Sequence, residues 1–311
     1  MPLLTRKRTL LAKLETTYGT DSVPTGAANA VQVRNMTVTP IVGDSVPRDL
    51  VRPFLGASEN VQGTRHVALE FEIELQGSGT AGTEPAFKDI LAACAMTVTT
   101  VASTSNTYRP NSNSAPSSLS IYFNLDGVQH RITGARGTFK LSMQVNQIPV
   151  LQFSFKGLYN APSDVAAPSV TYTSYRTPLA VSTANTTAFS IHGYTGMLQS
   201  LEIDLGNSID HMALVGSEYI QISGRSVTGT AVFEAPTIAA KDFFGLAAGT
   251  ALGALSITHG TAAGSRAVIT SSTVDVQNPT YADNNGVAMI SVPFILVPST
   301  SGNDELSIAF T

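Results

Sequence analysis

Three glutamates at every second position, Glu70, Glu72 and Glu74, are the residues of this 311-residue chain whose type and spacing first suggest chemistry. Clustered carboxylates can hold a divalent cation or share a proton in acid–base work. Their apolar neighbours Val67, Leu69, Phe71, Ile73 and Leu75 alternate with them, so the segment reads as a strand with one apolar and one acidic face. Strand spacing sets the carboxylates side by side on an open face, with no histidine among them. A solvated or channel-lining strand surface is the better reading.

Other chemistry is thinner still. The five histidines, His66, His130, His192, His211 and His259, are scattered and show no zinc-like spacing. The lone cysteine, Cys94, lies in an apolar stretch and reads as a small core residue. Gly77-Ser78-Gly79 and Gly193 to Gly196 lack the Lys-Ser/Thr ending of a phosphate-binding loop. Asp283-Asn284-Asn285-Gly286 lacks the downstream glutamate of a calcium loop and reads as a β-turn. No Gly-x-Ser-x-Gly elbow is present. The sequence therefore points to a non-enzyme with no metal and no cofactor.

Composition narrows the class. Hydrophobic residues make up 43% of the chain and charged residues 13%, about half the usual charged share. Ser, Thr, Asn and Gly carry the solubility instead. Neutral hydroxyls cost less to bury than ions, which suits a surface covered by copies of the same chain. The net charge of −4 and the lack of a basic patch argue against tight nucleic-acid binding. The absence of tryptophan counts against a carbohydrate-binding module. No apolar run is long enough to span a membrane. Lys13 and Glu15 interrupt the N-terminal leucines, so no signal peptide is read there, and a place in the cytoplasm of the producing cell is expected.

The elements that would carry these residues are mostly strands. Strands are predicted at 67–75, 119–124, 138–145, 151–158, 201–205, 226–234, 267–269, 273–277 and 288–297, with helices at 85–93 and 238–247. Residues 160–188, rich in Pro, Ser, Thr and Ala, read as a linker. The halves also look alike. Arg65-His66-Val67 and Glu74 recur as Arg225-Ser226-Val227 and Glu234, each 160 residues on. A Lys-Asp helix follows in both, at Lys88-Asp89 and Lys241-Asp242, then Leu-Ser-Ile at 119–121 and 255–257. Phe153-Ser154-Phe155 and Val292-Pro293-Phe294 close the halves. The expected organisation is a first domain over 1–160, a linker over 161–190 and a second domain over 191–311.

With these motifs in order, the chain resembles the major tail tube proteins of long-tailed, siphovirus-type bacteriophages. The resemblance rests on the opening Leu14-Glu15-Thr16-Thr17-Tyr18-Gly19-Thr20-Asp21-Ser22-Val23-Pro24, on the run Gly77 to Pro85 before Leu91-Ala92-Ala93-Cys94, and on Ile203-Asp204-Leu205-Gly206-Asn207 with Arg225 to Gly229 and Phe233-Glu234-Ala235-Pro236. The ending Asn303 to Thr311 also fits. The resemblance implies a mainly β fold of two tandem β-sandwich domains, each flanked by a short helix. It implies a virion protein that forms stacked rings around a channel through which phage DNA passes without specific binding. A duplicated chain would form trimeric, pseudo-hexameric rings. Implied partners are further copies of itself, a tape measure protein, a tail terminator and distal tail proteins. Other virion roles, in tail completion or head decoration, remain as alternatives.

Two surfaces follow. Glu70, Glu72 and Glu74 are candidates for the channel lining, where negative charge would repel phosphate; the outer surface is the other option. The stretch 42–56 joins Pro and Gly to large apolar groups. Within it Arg48, Asp49, Leu50, Val51, Arg52, Phe54 and Leu55 are candidates for contact with the next ring, unless the loop folds onto its own domain. The N-terminal segment 3–14 and C-terminal segment 304–311 are expected to act as stacking arms.

Overall fold

A computed structural model describes residues 2–113 and 115–311. The elements run β1 (Arg8–Leu14), α1 (Gly26–Asn29), β2 (Ala30–Val31), β3 (Arg34–Pro47), β4 (Asn60–Glu74), α2 (Lys88–Ala93), β5 (Met96–Val101), β6 (Ser105–Pro110), β7 (Leu119–Leu125), β8 (Val128–Gln144), β9 (Val150–Tyr159) and β10 (Ser163–Asp164). They continue as β11 (Thr186–Ile191), β12 (Leu198–Asp204), β13 (Asn207–Leu214), β14 (Ser217–Arg225), β15 (Thr228–Glu234), α3 (Phe243–Ala248), β16 (Gly253–His259), β17 (Ala267–Val276), β18 (Thr280–Asn284), β19 (Val287–Leu296) and β20 (Ser307–Phe310). The protein is mainly β, as the alternating patterns predict. Eighteen strands are linked through one bent sheet, and β13 and β14 form a separate hairpin.

The strand order repeats. In the first half the neighbours are β1–β7–β8–β9–β4–β3. In the second they are β11–β16–β17–β19–β15–β12. The correspondence holds by residue: Phe71 faces Phe153 and Leu69 faces Phe155, just as Ala231 faces Val292 and Gly229 faces Phe294. The halves are joined edge to edge, with Lys140 to Gln144 of β8 pairing with Ser200 to Asp204 of β12.

Alternation explains the core. Along β4, Val67, Leu69, Phe71 and Ile73 are buried in one core with Leu151, Phe153 and Phe155 of the adjacent β9 and Phe139 of β8 beyond it. Leu10, Ile121, Ile90 and Leu91 pack onto the same core from β1, β7 and α2. Strand β8 serves both layers, pairing first with β7 and then with β9, and it bends at a slip between Thr133 and Arg136. Gly134 sits in that bend at φ +60°, where a Cβ would lie 2.7 Å from the Tyr18 hydroxyl.

That contact explains the Glu15-Thr16-Thr17-Tyr18-Gly19 motif. The Glu15 carboxylate accepts hydrogen bonds from Gly19 N (2.8 Å), Ser118 Oγ (2.6 Å), Ser120 Oγ (2.9 Å) and Gly134 N (2.8 Å). It fixes the turn after β1 against the bend of β8. The Tyr18 hydroxyl donates to Gly134 O and accepts from Ile220 N, 2.6 Å away, while Arg136 lies over its ring.

Several expectations need correction. Residues 8–14 are an inner strand between β2 and β7, with Leu10, Leu11 and Ala12 buried, so only residues before Arg8 remain for an N-terminal arm. The C-terminal arm is likewise pinned: β20 pairs with both β6 and β17, and Leu306, Ile308 and Phe310 are buried. Both segments are too apolar to hang free. The linker is tethered, because Val181 is buried and Arg176 Nε donates to Ser78 O. Helices α2 and α3 are short, six residues each; Asp242 caps α3 by accepting from Gly245 N at 2.8 Å.

Candidate functional site

The acidic stripe lies on the open face of the central sheet. Glu70, Glu72 and Glu74 stand opposite Ser154, Gln152 and Val150 on β9. The same face continues through Lys140 and Ser142 of β8 to Asp204 and Glu202 of β12, and on to Thr228 and Thr230 of β15. The sheet therefore offers one polar surface across both halves. Its carboxylates are partly neutralised: Arg34 pairs with Glu72 at 3.1 Å and reaches Glu74 at 3.9 Å, and Lys140 pairs with Glu202 at 2.6 Å. Glu70 is exposed and forms no ion pair among the described residues. The depressions on this face are shallow and open, and among the described residues no cluster of three His, Cys, Asp or Glu could hold a metal.

The stretch 42–56 is only partly a loop. Its first residues continue β3, which runs beside β4 as far as the Pro47–Asn60 pair, so the loop proper is 48–59 at the tip of a long hairpin. Val51 and Leu55 are fully exposed, Phe54 is 64% exposed, and Leu50 is exposed as well. Arg48 and Arg52 both pair with Glu59, and Arg52 lies near the Phe54 ring. These charges hold the loop's own shape, while Asp49 forms no ion pair among the described residues. The Glu59 link escaped the sequence reading because nothing local marks a partner beyond the apolar run.

Two further features were not read from the sequence. Among the described residues β18 pairs only with β19, and β3 only with β4, so each leaves one free edge. The hairpin β13–β14 folds back over the first half. Lys156 Nζ donates to Ile209 O at 2.7 Å, Arg136 Nη1 donates to Ile220 O at 2.6 Å, and the rings of His66 and His211 lie 4.8 Å apart, tilted by 38°. Asn207 anchors its root by donating to Cys94 O and Gly137 O. Cys94 is buried, and burial pushes its thiol well above the usual range, as suits a core residue.

The histidines predict an acid sensitivity. Burial lowers the pKa of His66, His130, His192 and His259, and His211 and Lys156 lower His66 further. A histidine with a depressed folded pKa binds its proton more tightly when unfolded. The stability it contributes is complete above its unfolded value, about pH 6.5, and is lost as pH falls through the lower folded value. The melting temperature should be flat above that pH and decline below it. A His66→Gln variant should show a shallower decline; an identical profile would remove His66 from the account.

These surfaces define a class: a mainly β protein whose exposed chemistry lies on strand edges, a polar sheet face and a projecting hairpin. The sequence profile of the phage tail tube proteins matches residues 5–296, and the chain belongs to that family. It is a structural virion protein of the phage tail tube, of a family that assembles from copies of itself. No curated protein matches the chain. Among the described residues no helix is long and apolar enough to cross a membrane.

Proposed function

We propose that the chain, made in the host cytoplasm, closes into rings of three and that the rings stack into the tube of a siphovirus-type tail. The two domains, 1–160 and 191–311 with the 161–190 linker, would give each ring six equivalent positions. One observation carries this reading: the joint between the halves is built from β8 and β12, and the strands that correspond to them at the outer ends have free edges. Strand β18 corresponds to the end of β8, since Tyr281 faces Ile290 as Leu141 faces Leu151. Strand β3 corresponds to β12. Repeating the internal joint between chains pairs Thr37 with Ala282, Val38 with Tyr281 and Thr39 with Thr280. Ring closure then removes both edges, which would otherwise invite uncontrolled pairing.

In such a ring the polar face with Glu70, Glu72 and Glu74 lines the channel, and its carboxylates let DNA slide past without binding. The tape measure protein occupies that channel before DNA does, and terminator and distal tail proteins cap the ends. The apolar tip with Leu50, Val51, Phe54 and Leu55 reaches the next ring. Electron microscopy and native mass measurement of the purified protein test the reading. Hollow tubes built of three-chain rings are expected. Six chains per ring would overturn the stoichiometry, and small oligomers without tubes would favour a tail-completion or head-decoration role.

Tip and edges can be separated. Replacing 48–59 by Asn-Gly keeps Pro47 opposite Asn60 and closes the hairpin with a favoured two-residue turn. The protomer should fold and close rings, but micrographs should show single rings instead of tubes. Tubes of normal length would exclude the tip from stacking.

A further inference from the structure

The hairpin that folds over the first half has an unfolded-back counterpart. Gly43 pairs with Arg65 as Asn207 pairs with Arg225, and both ladders slip before the second residue beyond that pair, between Gly43 and Ser45 and between Ser208 and Ile209. Beyond the slip, Ser45 stands opposite Gln62 and Pro47 opposite Asn60. In the other hairpin Ile209 stands opposite Ile222 and His211 opposite Ile220. The outer part of β3–β4 is thus the same arm as β13–β14. It differs in its tip, which spans 48–59 where the other turns through Val215 and Gly216 alone.

The ground beneath also has a counterpart. The arm β13–β14 rests on His66, Arg136 and Lys156. The 160-residue offset of the repeat places Ser226, just before β15, where His66 stands in the first half. Strand pairing places Ile295, facing Thr228, where Lys156 faces Ala68, and Asp275, facing Ile295, where Arg136 faces Lys156. Ser226 and Thr228 are exposed, and Asp275 and Ile295 are half-buried under no covering arm.

We infer that the stem of the β3–β4 hairpin docks on this bare face of the second half of a neighbouring copy, repeating the contact that β13–β14 makes within the chain. This rests on the proposed ring and adds a second lateral contact to the strand joint. Copying the internal geometry sets Pro47 over Ser226, Ser45 over Ile295 and Asn60 over Asp275. The polarity matches. The stem's inward positions, Ser45, Pro47, Asn60 and Gln62, are more polar than Ile209, His211, Ile220 and Ile222. The ground is correspondingly rich in hydroxyl, amide and carboxylate groups at Ser226, Thr228, Gln277 and Asp275. Where Arg136 donates to a backbone carbonyl of the arm, Asp275 is an acceptor for the Asn60 amide. Val46 and Val61, paired across the stem, correspond to Asp210 and Gln221 and so face away from this ground, on the side open to an axial neighbour.

Site-directed cross-linking tests the docking, because the single native thiol, Cys94, is buried. Pro47→Cys and Ser226→Cys are combined in one chain, assembled, and treated with a short bis-maleimide. Covalent species that climb by one chain at a time and stop at the ring size are expected, because the contact is lateral. A ladder with no upper limit would mean the stem contacts another ring and would overturn the inference. So would tubes that form normally yet stay uncross-linked. If the double variant does not polymerise, hydroxyl-radical footprinting of the unmodified protein decides: Pro47 and Ile295 must lose reactivity on assembly, and unchanged reactivity overturns the docking. If the unmodified protein forms neither rings nor tubes, the proposed function fails instead, so the two failures are distinct.

Discussion

Tyr281→Pro gives a folded protomer that no longer builds tubes. Strands β18 and β19 are joined by the two residues Asn285 and Gly286, both at positive φ, so Asn284 and Val287 form the hydrogen-bonded pair that flanks the turn. Alternation from that pair makes Ala282 and Thr280 bond inward to β19 and points the N–H and C=O of Tyr281 and Asp283 to the free edge. A proline at 281 therefore removes no hydrogen bond within the chain, and edge strands tolerate it. In the proposed ring it faces Val38 of the next copy, where it deletes a donor and leaves an acceptor unmet. Each junction then loses about 2 kcal/mol, and three junctions lose about 6 kcal/mol, more than four orders of magnitude in ring closure. Tyr281 also touches Phe244, so Tyr281→Thr serves as the control that trims the ring and keeps the N–H. The control should polymerise and the proline variant should not, with melting temperatures that agree closely. Normal tubes from Tyr281→Pro would remove β18 from the assembly joint.

The residues that were legible in the sequence are those with one buried and one wet face. Strand β4 announced itself because Val67, Leu69, Phe71 and Ile73 face the core while Glu70, Glu72 and Glu74 do not. Strands β9 and β19 did the same, and their shared Phe-x-Phe and Val-x-Phe patterns occupy matching places opposite β4 and β15. Strand β1 was misread as an arm because Leu10, Leu11 and Ala12 are consecutive and all buried, which erases the alternation and leaves only its basic flank visible. Strand β18 was invisible for the opposite reason: Thr280, Tyr281, Ala282 and Asp283 are all exposed in the single chain, so no face stands out. The hairpin β13–β14 is polar on its outer side, and what it rests on lies far away in sequence. The stripe of glutamates was found by spacing, but its pairing with Arg34 was not, since strand neighbours 38 and 40 residues apart share no local pattern. Arg65 and Arg225 marked the repeat, yet their roles diverge. Arg65 lies over the Tyr159 ring at 4.5 Å, and Arg225 enters a buried ion pair.

That ion pair sets the second large effect: Arg225→Ala destabilises the protomer by about 3–5 kcal/mol, as expected for stranding one member of a buried pair. Arg225 Nε donates to Glu305 Oε1 at 2.6 Å, Nη1 to Asn111 O at 2.9 Å, and Nη2 to Asn303 Oδ1 at 3.2 Å. One guanidinium thus ties the root of β14 to the segment before β7 and to the residues that lead into β20. The Glu305 side chain is 5% exposed, and among the described residues its Oε2 has no hydrogen-bond partner and no second ion pair offsets its charge once Arg225 is gone. Removing Glu305 costs less, because Arg225 keeps its bonds to Asn111 and Asn303 and is more exposed. The order of stability should therefore be wild type, then Glu305→Ala, then Arg225→Ala. Adding Glu305→Gln to Arg225→Ala should recover about 2 kcal/mol, since the stranded group is then neutral. At about 2 °C per kcal/mol for a chain of this size, Arg225→Ala lowers the melting temperature by about 6–10 °C. Because β20 is the strand that bridges β6 and β17, hydrogen exchange in the variant should rise first at Ser307 to Phe310. Thermal unfolding that ranks Glu305→Ala below Arg225→Ala would show that the arginine, not the carboxylate, is the group left uncompensated.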